Sequence, residues 1–561
     1  MKKRIGIGIS DFRELITGDF LFIDKSLFVS EIIDIGAKVL LIPRPRRFGK
    51  TLNLSMLRYF FEIAQDEDEK REKEALFNGL FIKETQHFKE HFSRYPVISL
   101  TFKDVKEPDF NSALFFLKRI ISDEVSRLIS QDVNLLTGPY KGLKEIINDT
   151  DEIGYYKESL KILSRYLHEI HKSPAIILID EYDTPIHAAW QYGYYDEMIS
   201  FMRGLLSGGL KDNPHIYKGV ISGILRVAKE SIFSGLNNLD IYTILERPFS
   251  DKFGITMKEL KRLISDYEME HRFKEIDAWY NGYRFGGHTI FNPWSILNFI
   301  NHNPEHPEPY WANTSSNALI KELIVEGGMD LRENIERLIS GKAIDSVIDK
   351  NIVFPELRKK EAYIYSLFFF SGYLKCVKQI PEPRSLRCQL AIPNKEVRYI
   401  FENIILSWLE EAFGNKKLVT MLRALAEGNI DQFQRLLNEF VITTLSFFDA
   451  KGKNPEAVYQ AFVLGMLLNL GNEYEISSNR ELGYGRYDIL ALPKDRKRPA
   501  ILMEMKSISG FYREDPEKAM KEAIEQIDKR KYAKELETRG FKNILKIVVV
   551  SDGKKVWVKK L

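Results

Sequence analysis

The stretch Ala37–Thr51, AKVLLIPRPRRFGKT, decides the fold of the first half of the chain. Its beginning, AKVLLI, is a short apolar run typical of a buried strand, and a helical pattern follows from Leu52 to Ile63. Between the two lies a loop rich in Pro, Arg and Gly. A phosphate-binding loop requires this order of strand, loop and helix, because the helix N-terminus offers free N–H groups and partial positive charge. The sequence therefore predicts a phosphate site here.

The loop meets the pattern G-x-x-x-x-G-K-[ST] except at its first position, where Arg44 replaces glycine. A glycine at that position permits a positive φ that arginine does not favour. Lys50 is expected to reach the β- and γ-phosphates, and the Thr51 hydroxyl to ligate Mg²⁺. The alternative interpretation is a basic loop that caps a helix. The residues predicted to bind the nucleotide are Arg46, Arg47, Phe48, Gly49, Lys50, Thr51 and Asp180.

Further apolar runs in the first 250 residues predict a parallel sheet covered by helices on both faces, which is α/β architecture. These strands are Tyr95–Phe102, Ala175–Ile179 and His215–Ile224. The second of them ends in two acids, the other half of a nucleotide site. Asp180 is expected to hold Mg²⁺ through water, and Glu181 to act as the general base.

Three more polar residues lie near the ends of these strands. Asp183 is interpreted as a helix N-cap rather than as an additional ligand. Ser222 and Arg226 are placed to sense the γ-phosphate, and the alternative for Ser222 is a structural turn serine.

Composition describes an ordinary soluble protein of about three or four domains. The net charge of +3 is nearly neutral, so nucleic-acid contacts would depend on local basic patches. Cys376 and Cys388 are interpreted as reduced, buried thiols. We find neither a signal-peptide pattern nor the roughly 18–20 apolar residues of a membrane span, and we expect a cytoplasmic protein. His168 and His171 are interpreted as solvent-facing residues.

The pattern changes along the chain and predicts four regions. Residues 1–250 form the phosphate-binding domain, and 251–320 a small, lid-like, helical and aromatic-rich subdomain. Residues 321–454 are expected to be a helical linker domain, in which YIYSLFFFSGYL (Tyr363–Leu374) is a buried helix. Residues 455–561 follow an αβββαβ order that predicts a second α/β domain. The aromatic cluster of the small subdomain (Trp279, Tyr280, Tyr283, Phe285, Phe291, Trp294) is expected to pack that subdomain rather than to stack on bases.

In the last region, two acids and a lysine lie on predicted strands. Asp488 lies in RYDILAL, and Glu504 and Lys506 lie in AILMEMK. Side chains two apart on a strand share a face, and Asp488 joins them if the strands are neighbours. Carboxylates suit Mg²⁺ or Mn²⁺, and a lysine beside them can activate water and stabilise developing charge. The alternatives are a buried ion pair of Asp488 or Glu504 with Lys506 on a sheet edge, and an intact fold that has lost catalysis.

The N-terminal motifs resemble the AAA-ATPase-like branch of the P-loop NTPases. The resemblance spans about residues 5–320, and that family carries arginine where Arg44 stands. It implies an ATP site and does not settle what hydrolysis drives. The matching segments are IG and DF near the N-terminus, IDKS (Ile23–Ser26), RPRRFGKT, LIDEYD, SIFSGLNNL, WYNGYRFG, NPWSI and YWANTS.

The C-terminal series G-x-G-R-x-D, E-x-K, Q-x₅-Y resembles the PD-(D/E)XK nuclease superfamily, a restriction-endonuclease-like fold, over about residues 455–558. The resemblance implies Asp488 and Glu504 as metal ligands and Lys506 as the catalytic lysine. It implies that Gln526 orients the site or contacts the scissile phosphate. Three further positions have two interpretations each. Tyr532 either acts at the site or packs its helix, and Arg486 either contacts phosphate or pairs with Glu481. Glu456 is either a metal ligand or the start of a helix.

We therefore expect an ATP-hydrolysing, Mg²⁺-dependent nuclease, with Mn²⁺ as an alternative ion at the nuclease site. The predicted partners are ATP, DNA or RNA, and further copies of the chain, but no membrane. The alternative is a signalling or scaffold ATPase whose C-terminal domain binds nucleic acid or a partner without cleaving it.

Overall fold

The chain forms two compact units in the computed structural model: residues 1–319 with 345–396, and residues 320–344 with 397–561. The first unit thus includes residues 345–396, which the sequence analysis assigned to the helical linker. The structure describes residues 2–129, 137–226, 232–233, 238–311, 318–351, 354–357, 359–382, 385–445, 473–478, 481–482, 485–486, 488–508, 515–529, 536–551 and 555–561.

A five-stranded parallel sheet organises the first 250 residues, in the order β2-β3-β4-β1-β5. Every residue of β1 and β3 is buried, which requires cover on both faces. The predicted parallel α/β architecture is confirmed, with a short fifth strand added. The strands are β1 (Val39–Pro43), β2 (Val97–Thr101), β3 (Ala175–Asp180), β4 (Ile216–Gly223) and β5 (Leu239–Ile241).

Ten helices accompany this sheet in the described residues, and several begin at side-chain caps that satisfy free N–H groups. The Asp109 carboxylate, for example, accepts from the Ser112 N–H at the start of the sixth. The helices are α1 (Phe12–Thr17), α2 (Leu27–Asp34), α3 (Lys50–Phe61), α4 (Glu67–Ala75), α5 (Gln86–His91), α6 (Phe110–Leu128), α7 (Lys141–Ile147), α8 (Ile153–His171), α9 (Thr184–Tyr192) and α10 (Tyr195–Leu210).

The aromatic-rich region contains a small antiparallel sheet, β6-β8-β7, besides its helices. The two-residue turn Gly286-Gly287 joins two of the strands, and both glycines have positive φ, as tight hairpin turns require. The aromatic side chains mostly pack this region, as expected: Tyr280, Tyr283, Phe285 and Phe291 are buried. The elements are β6 (Ile255–Thr256), α11 (Met257–Asp266), α12 (Phe273–Tyr280), β7 (Tyr283–Phe285), β8 (His288–Phe291) and α13 (Pro293–His302).

The middle region contains strands besides its helices, which the prediction of a helical linker for residues 321–454 did not include. Three strands in the order β10-β11-β9 lie there, because an alternating segment forms an antiparallel hairpin. The apolar run at Tyr363–Leu374 does contain a buried helix, as predicted. The elements are α14 (Ala318–Glu326), α15 (Met329–Ile339), β9 (Ile344–Ile348), α16 (Glu361–Phe370), β10 (Lys375–Pro381), β11 (Leu386–Ala391), α17 (Lys395–Phe413), α18 (Asn415–Ala426) and α19 (Ile430–Leu445).

A mixed sheet in the order β12-β15-β16-β17-β18 forms the C-terminal α/β region. Met503 and Met505 face one apolar cluster with α18 and α19, and Leu502 faces another with the last helix. The first predicted element of this domain, the helix that precedes the strands, lies outside the described residues. The elements are β12 (Tyr474–Ser478), β13 (Glu481–Leu482), β14 (Gly485–Arg486), β15 (Ile489–Pro493), β16 (Ala500–Ser507), α20 (Pro516–Lys529), β17 (Ile544–Ser551) and β18 (Val556–Lys560).

Cys376 and His168 differ from the predictions made for them. Both cysteines are free thiols, but only Cys388 is buried, and Cys376 is half-buried. His168 is not simply solvent-facing, because its ring bonds to the ring of His215, with 3.1 Å between the two Nδ1 atoms. Among the described helices, none combines the length and apolar character that crossing a membrane requires.

Candidate functional site

The loop after β1 leads into α3, whose first residue is Lys50. Gly49 precedes it with φ of 82°, a conformation that glycine adopts without strain. The Lys50 ammonium is buried and donates to the main-chain carbonyls of Arg44 (3.1 Å) and Pro45 (3.0 Å). Lys50 therefore closes the loop on itself, with its charge held at the helix N-terminus.

Three carboxylates lie close enough to the Lys50 ammonium to affect its pKa. Burial lowers the pKa of Lys50, and the charges of Glu181, Asp180 and Asp183 oppose that change. The structure thus brings the loop after β1 and the acids after β3 to one place, as predicted. Glu181 itself has φ of 50° and accepts from the Thr184 hydroxyl at 3.3 Å.

Thr51 and Asp180 form the closest contact between the two halves of this site. The Thr51 hydroxyl donates to Asp180 Oδ2 at 2.6 Å. Asp180 is only 5% exposed, and burial raises the pKa of its carboxyl against the effects of Thr51 and Lys50. Two adjacent oxygens, one of them a carboxylate, suit a hard cation such as Mg²⁺.

Arg44 points away from the phosphate loop into the protein. Its guanidinium is fully buried, donates to the carbonyls of Pro43 (2.8 Å), Tyr242 (2.6 Å) and Phe249 (3.3 Å), and lies 5.0 Å from the ring centre of Phe253. Arg44 does not have a positive φ. The loop therefore starts without the positive φ that would demand glycine, which removes the objection raised by the sequence pattern.

The remaining loop residues, Arg46, Arg47 and Phe48, differ in how exposed their side chains are. Phe48 is fully buried against Tyr283 and Phe285, at ring-centre distances of 5.0 and 5.2 Å, so only its main chain can face a phosphate. Arg47 has φ of 67°, is exposed and lies 4.1 Å from the ring centre of Trp294. Arg46 is half-buried. The two arginines remain candidates for contacting the nucleotide.

Asp183 does not act as the predicted side-chain cap of α9. It occupies the N-cap position, but its Oδ2 accepts instead from the N–H groups of Ile224 and Leu225, both at 2.8 Å. The physical reason is that these N–H groups after β4, which are partly or fully buried, need an acceptor. The neighbouring Ser222 hydroxyl is buried with no hydrogen-bond partner among the described residues, and Arg226 is half-buried.

His187 is a residue of this site that the sequence analysis missed. It lies one turn beyond Asp183 on α9, where its N–H donates to the Asp183 carbonyl, and its Nε2 is buried without a hydrogen-bond partner in the described structure. Burial, together with the charges of Arg46 and Lys106, lowers the pKa of His187 to about 4. The imidazole is therefore neutral near pH 7. A lone histidine on a helix carries no sequence signal that could have identified it.

In the C-terminal unit, Asp488 lies directly before β15 rather than within the predicted strand. β15 and β16 are antiparallel neighbours with Ile489 opposite Met503, so Asp488 lies across from Glu504. The Asp488 Oδ2 accepts from the Met505 N–H at 2.7 Å. The two strands are therefore neighbours, which was the condition for Asp488 to lie near Glu504 and Lys506.

Glu504 is buried at 1% exposure on the face of β16 that packs against α20. Gln526 on that helix donates to Glu504 Oε1. Lys506, two residues further along β16, is half-buried and shares the face of Glu504. The site therefore combines a buried carboxylate, an amide that orients it and a lysine.

Four predicted residues cannot be placed in the site. Glu456 and Tyr532 lie outside the described residues. For Glu481 and Arg486 the structure describes only the backbone, which pairs the two residues across β13 and β14.

Three comparisons with known proteins bear on these two sites. Residues 6–233 match the family described as a predicted AAA-ATPase (AAA-ATPase-like), and residues 454–561 match the PD-(D/E)XK nuclease superfamily. A protein of Azotobacter chroococcum mcd 1, described as an uncharacterized protein in the vnfD 5′ region, is 26% identical over 413 residues, which are 73% of this chain and 71% of that protein.

Among solved structures, the ORC2 protein of Aeropyrum pernix in its ADPNP–ADP complexes matches with 10% identity. The match covers 68% of this chain and 91% of that chain, with a TM-score of 0.24. At this TM-score no common fold is inferred.

Proposed function

We propose, for a chain that joins an AAA-ATPase-like domain to a domain of the PD-(D/E)XK nuclease superfamily, that it hydrolyses ATP and cleaves nucleic-acid phosphodiesters with divalent metal. The observation that carries the nuclease half is the position of Asp488 opposite Glu504, with Lys506 on the same face of the strand. The hydrogen bond between Thr51 and Asp180 supports the ATPase half.

In the ATPase half, each residue has a role that follows from its position. Lys50 exchanges its two carbonyl acceptors for β- and γ-phosphate oxygens, because a buried ammonium gains more from anionic partners. Thr51 and Asp180 hold Mg²⁺, which supplies charge that neutralises the phosphates. Glu181 orients and deprotonates the attacking water.

In the nuclease half, Asp488 and Glu504 hold Mg²⁺ or Mn²⁺, whose chemistry is to activate water and stabilise charge on the scissile phosphate. Gln526 fixes the Glu504 carboxylate through their hydrogen bond. Lys506 orients the attacking water and stabilises the developing negative charge.

A cleavage assay tests the nuclease half directly. The full chain is incubated with ATP, Mg²⁺ or Mn²⁺, and single- and double-stranded DNA and RNA. Parent protein should cleave at least one substrate, and Lys506→Ala should not. The matched control Lys518→Ala changes an exposed lysine on α20 and should cleave normally. Absence of cleavage by the parent, or full cleavage by Lys506→Ala, refutes this half.

Nucleotide binding is a separate test of the ATPase half. Lys50→Ala should abolish ATP binding in a calorimetric titration, whereas Lys38→Ala, an exposed lysine before β1, should leave ATP binding unchanged. Retained affinity in Lys50→Ala refutes the proposed ATP site.

A further inference from the structure

The short helix α5 carries three potential metal ligands that neither proposed site uses. One nitrogen each of His87 and His91 and a carboxylate oxygen of Glu90 all lie within 4.8 Å of one another. Their spacing is i, i+3 and i+4, which places them on one helical face. The sequence HFKEH meets the pattern H-x-x-E-H, which also occurs in a class of zinc peptidases and would have been the signal for this cluster.

The opposite side of α5 is anchored in the protein. Phe88 stacks on Phe92 with 4.5 Å between ring centres, and Phe60 packs against both rings. At the beginning of the helix, the Thr85 hydroxyl accepts from the Phe88 N–H. The helix is therefore held in place without any ligand, and its polar face is preorganised.

Each histidine ring is oriented by a hydrogen bond through one nitrogen. His87 Nε2 lies 2.9 Å from Asp34 Oδ1, and His91 Nδ1 lies 2.7 Å from the Tyr95 hydroxyl. Metal-binding histidines ordinarily use their second nitrogen in this way. The bonds leave His87 Nδ1 and His91 Nε2 for a ligand.

The two remaining nitrogens differ in their surroundings. His87 Nδ1 is buried and has no hydrogen-bond partner among the described residues. His91 Nε2 lies 4.0 Å from Glu90 Oε2, while Glu90 Oε1 accepts from Gln86 at 2.7 Å.

We propose that His87, Glu90 and His91 bind a divalent transition-metal cation of the Zn²⁺ type, with water completing the coordination. Two imidazoles and one carboxylate are ligands that Zn²⁺ accepts in tetrahedral sites. The site is separate from the phosphate loop: Asp34 and Tyr95 precede β1 and β2, whereas Lys50 and Asp180 lie at the opposite, carboxyl ends of the strands.

Binding of Co²⁺ by the full chain tests the site, because Co²⁺ substitutes for Zn²⁺ and absorbs visible light. Excess Mg²⁺ is included to occupy the oxygen-rich sites. One equivalent of Co²⁺ should produce an absorption band that Zn²⁺ abolishes by displacement. The double variant His87→Ala/His91→Ala should lose at least about 100-fold in Co²⁺ affinity, and Tyr95→Phe about 10-fold.

Matched variants separate this site from the others. His271→Ala changes an exposed histidine elsewhere, and Asp488→Asn alters the nuclease site; both should keep the band. Thermal melting without metal checks that each variant folds. If the double variant does not fold, Glu90→Gln provides a more conservative test. No band in the parent, an undiminished band in folded Glu90→Gln or in the folded double variant, or its loss in Asp488→Asn overturns the proposal.

Discussion

The hydroxyl of Thr51 donates a hydrogen bond of 2.6 Å to the carboxylate of Asp180, 129 residues further along the chain. The two residues follow β1 and end β3, which are not neighbours, because both strands pair with β4. The contact therefore crosses one strand at the carboxyl edge of the sheet, where ligands of open α/β sheets bind.

Removal of the Thr51 hydroxyl should affect nucleotide binding mainly when Mg²⁺ is present. Thr51→Val keeps the shape of the side chain but removes an oxygen that we expect to hold the cation. We expect affinity for Mg²⁺–ATP to fall about 10-fold or more, and affinity for ATP in chelator to change less. Calorimetric titration measures both, with Thr51→Ser as the control. Equal losses with and without Mg²⁺ would contradict the assignment.

Arg44 should contribute to the free energy of unfolding rather than directly to catalysis. Arg44→Met retains bulk but leaves three main-chain carbonyls without their buried donor. Loss of a buried partner costs about 1–3 kcal/mol for each group left unsatisfied, so the free energy of unfolding should fall by several kcal/mol. Denaturant titration checks this, with Arg46→Met at a half-buried loop position as the control. An unchanged unfolding midpoint for Arg44→Met would refute the structural role.

Glu396 should make stability depend on pH. Its carboxyl is buried, accepts from the Trp311 N–H at 2.7 Å and from the Ser295 hydroxyl, and burial raises its pKa from 4.5 to about 8. The folded chain then binds more protons than the unfolded chain between these values. The stabilisation is complete below the unfolded pKa and is lost as the pH rises through the folded pKa.

The free energy of unfolding should therefore contain a component that falls by up to about 1.4 kcal/mol per pH unit between pH 4.5 and about 8. Glu396→Gln keeps an acceptor for Trp311 and should remove this component. Urea unfolding of the parent and the variant across the pH range measures the difference. Identical slopes for the two proteins would show that Glu396 does not titrate as described.

Gln526 should position the Glu504 carboxylate in the nuclease site rather than bind the metal itself. Gln526→Leu removes the donor to Glu504 Oε1 and should raise the Mn²⁺ concentration for half-maximal cleavage about 10-fold or more. The control Glu525→Gln changes an exposed residue on the same helix. Cleavage that depends on Mn²⁺ identically in the parent and in Gln526→Leu would exclude this role.

Local patterns sufficed for the first domain because its strands are continuous apolar runs and its loop stands between a strand and a helix. Such signals come from neighbouring residues, and the family resemblances drawn from them are confirmed. The hairpin around Gly286-Gly287 carried a turn signal that the sequence analysis overlooked. The strands of residues 344–391 were missed because short, mixed segments acquire strand structure from their pairing partners.

By itself, the sequence determined the α/β class, the order of strand, loop and helix around Lys50, and the acids Asp180 and Glu181 at the end of a strand, since these follow from residue order. Only the tertiary structure decided that Arg44 faces the interior, that Asp183 binds the main chain after β4, and that His87 and His91 converge with Glu90 and their outer partners. Those outcomes depend on which buried donors and acceptors meet across distant segments. That pairing is settled by packing, and no local pattern encodes it.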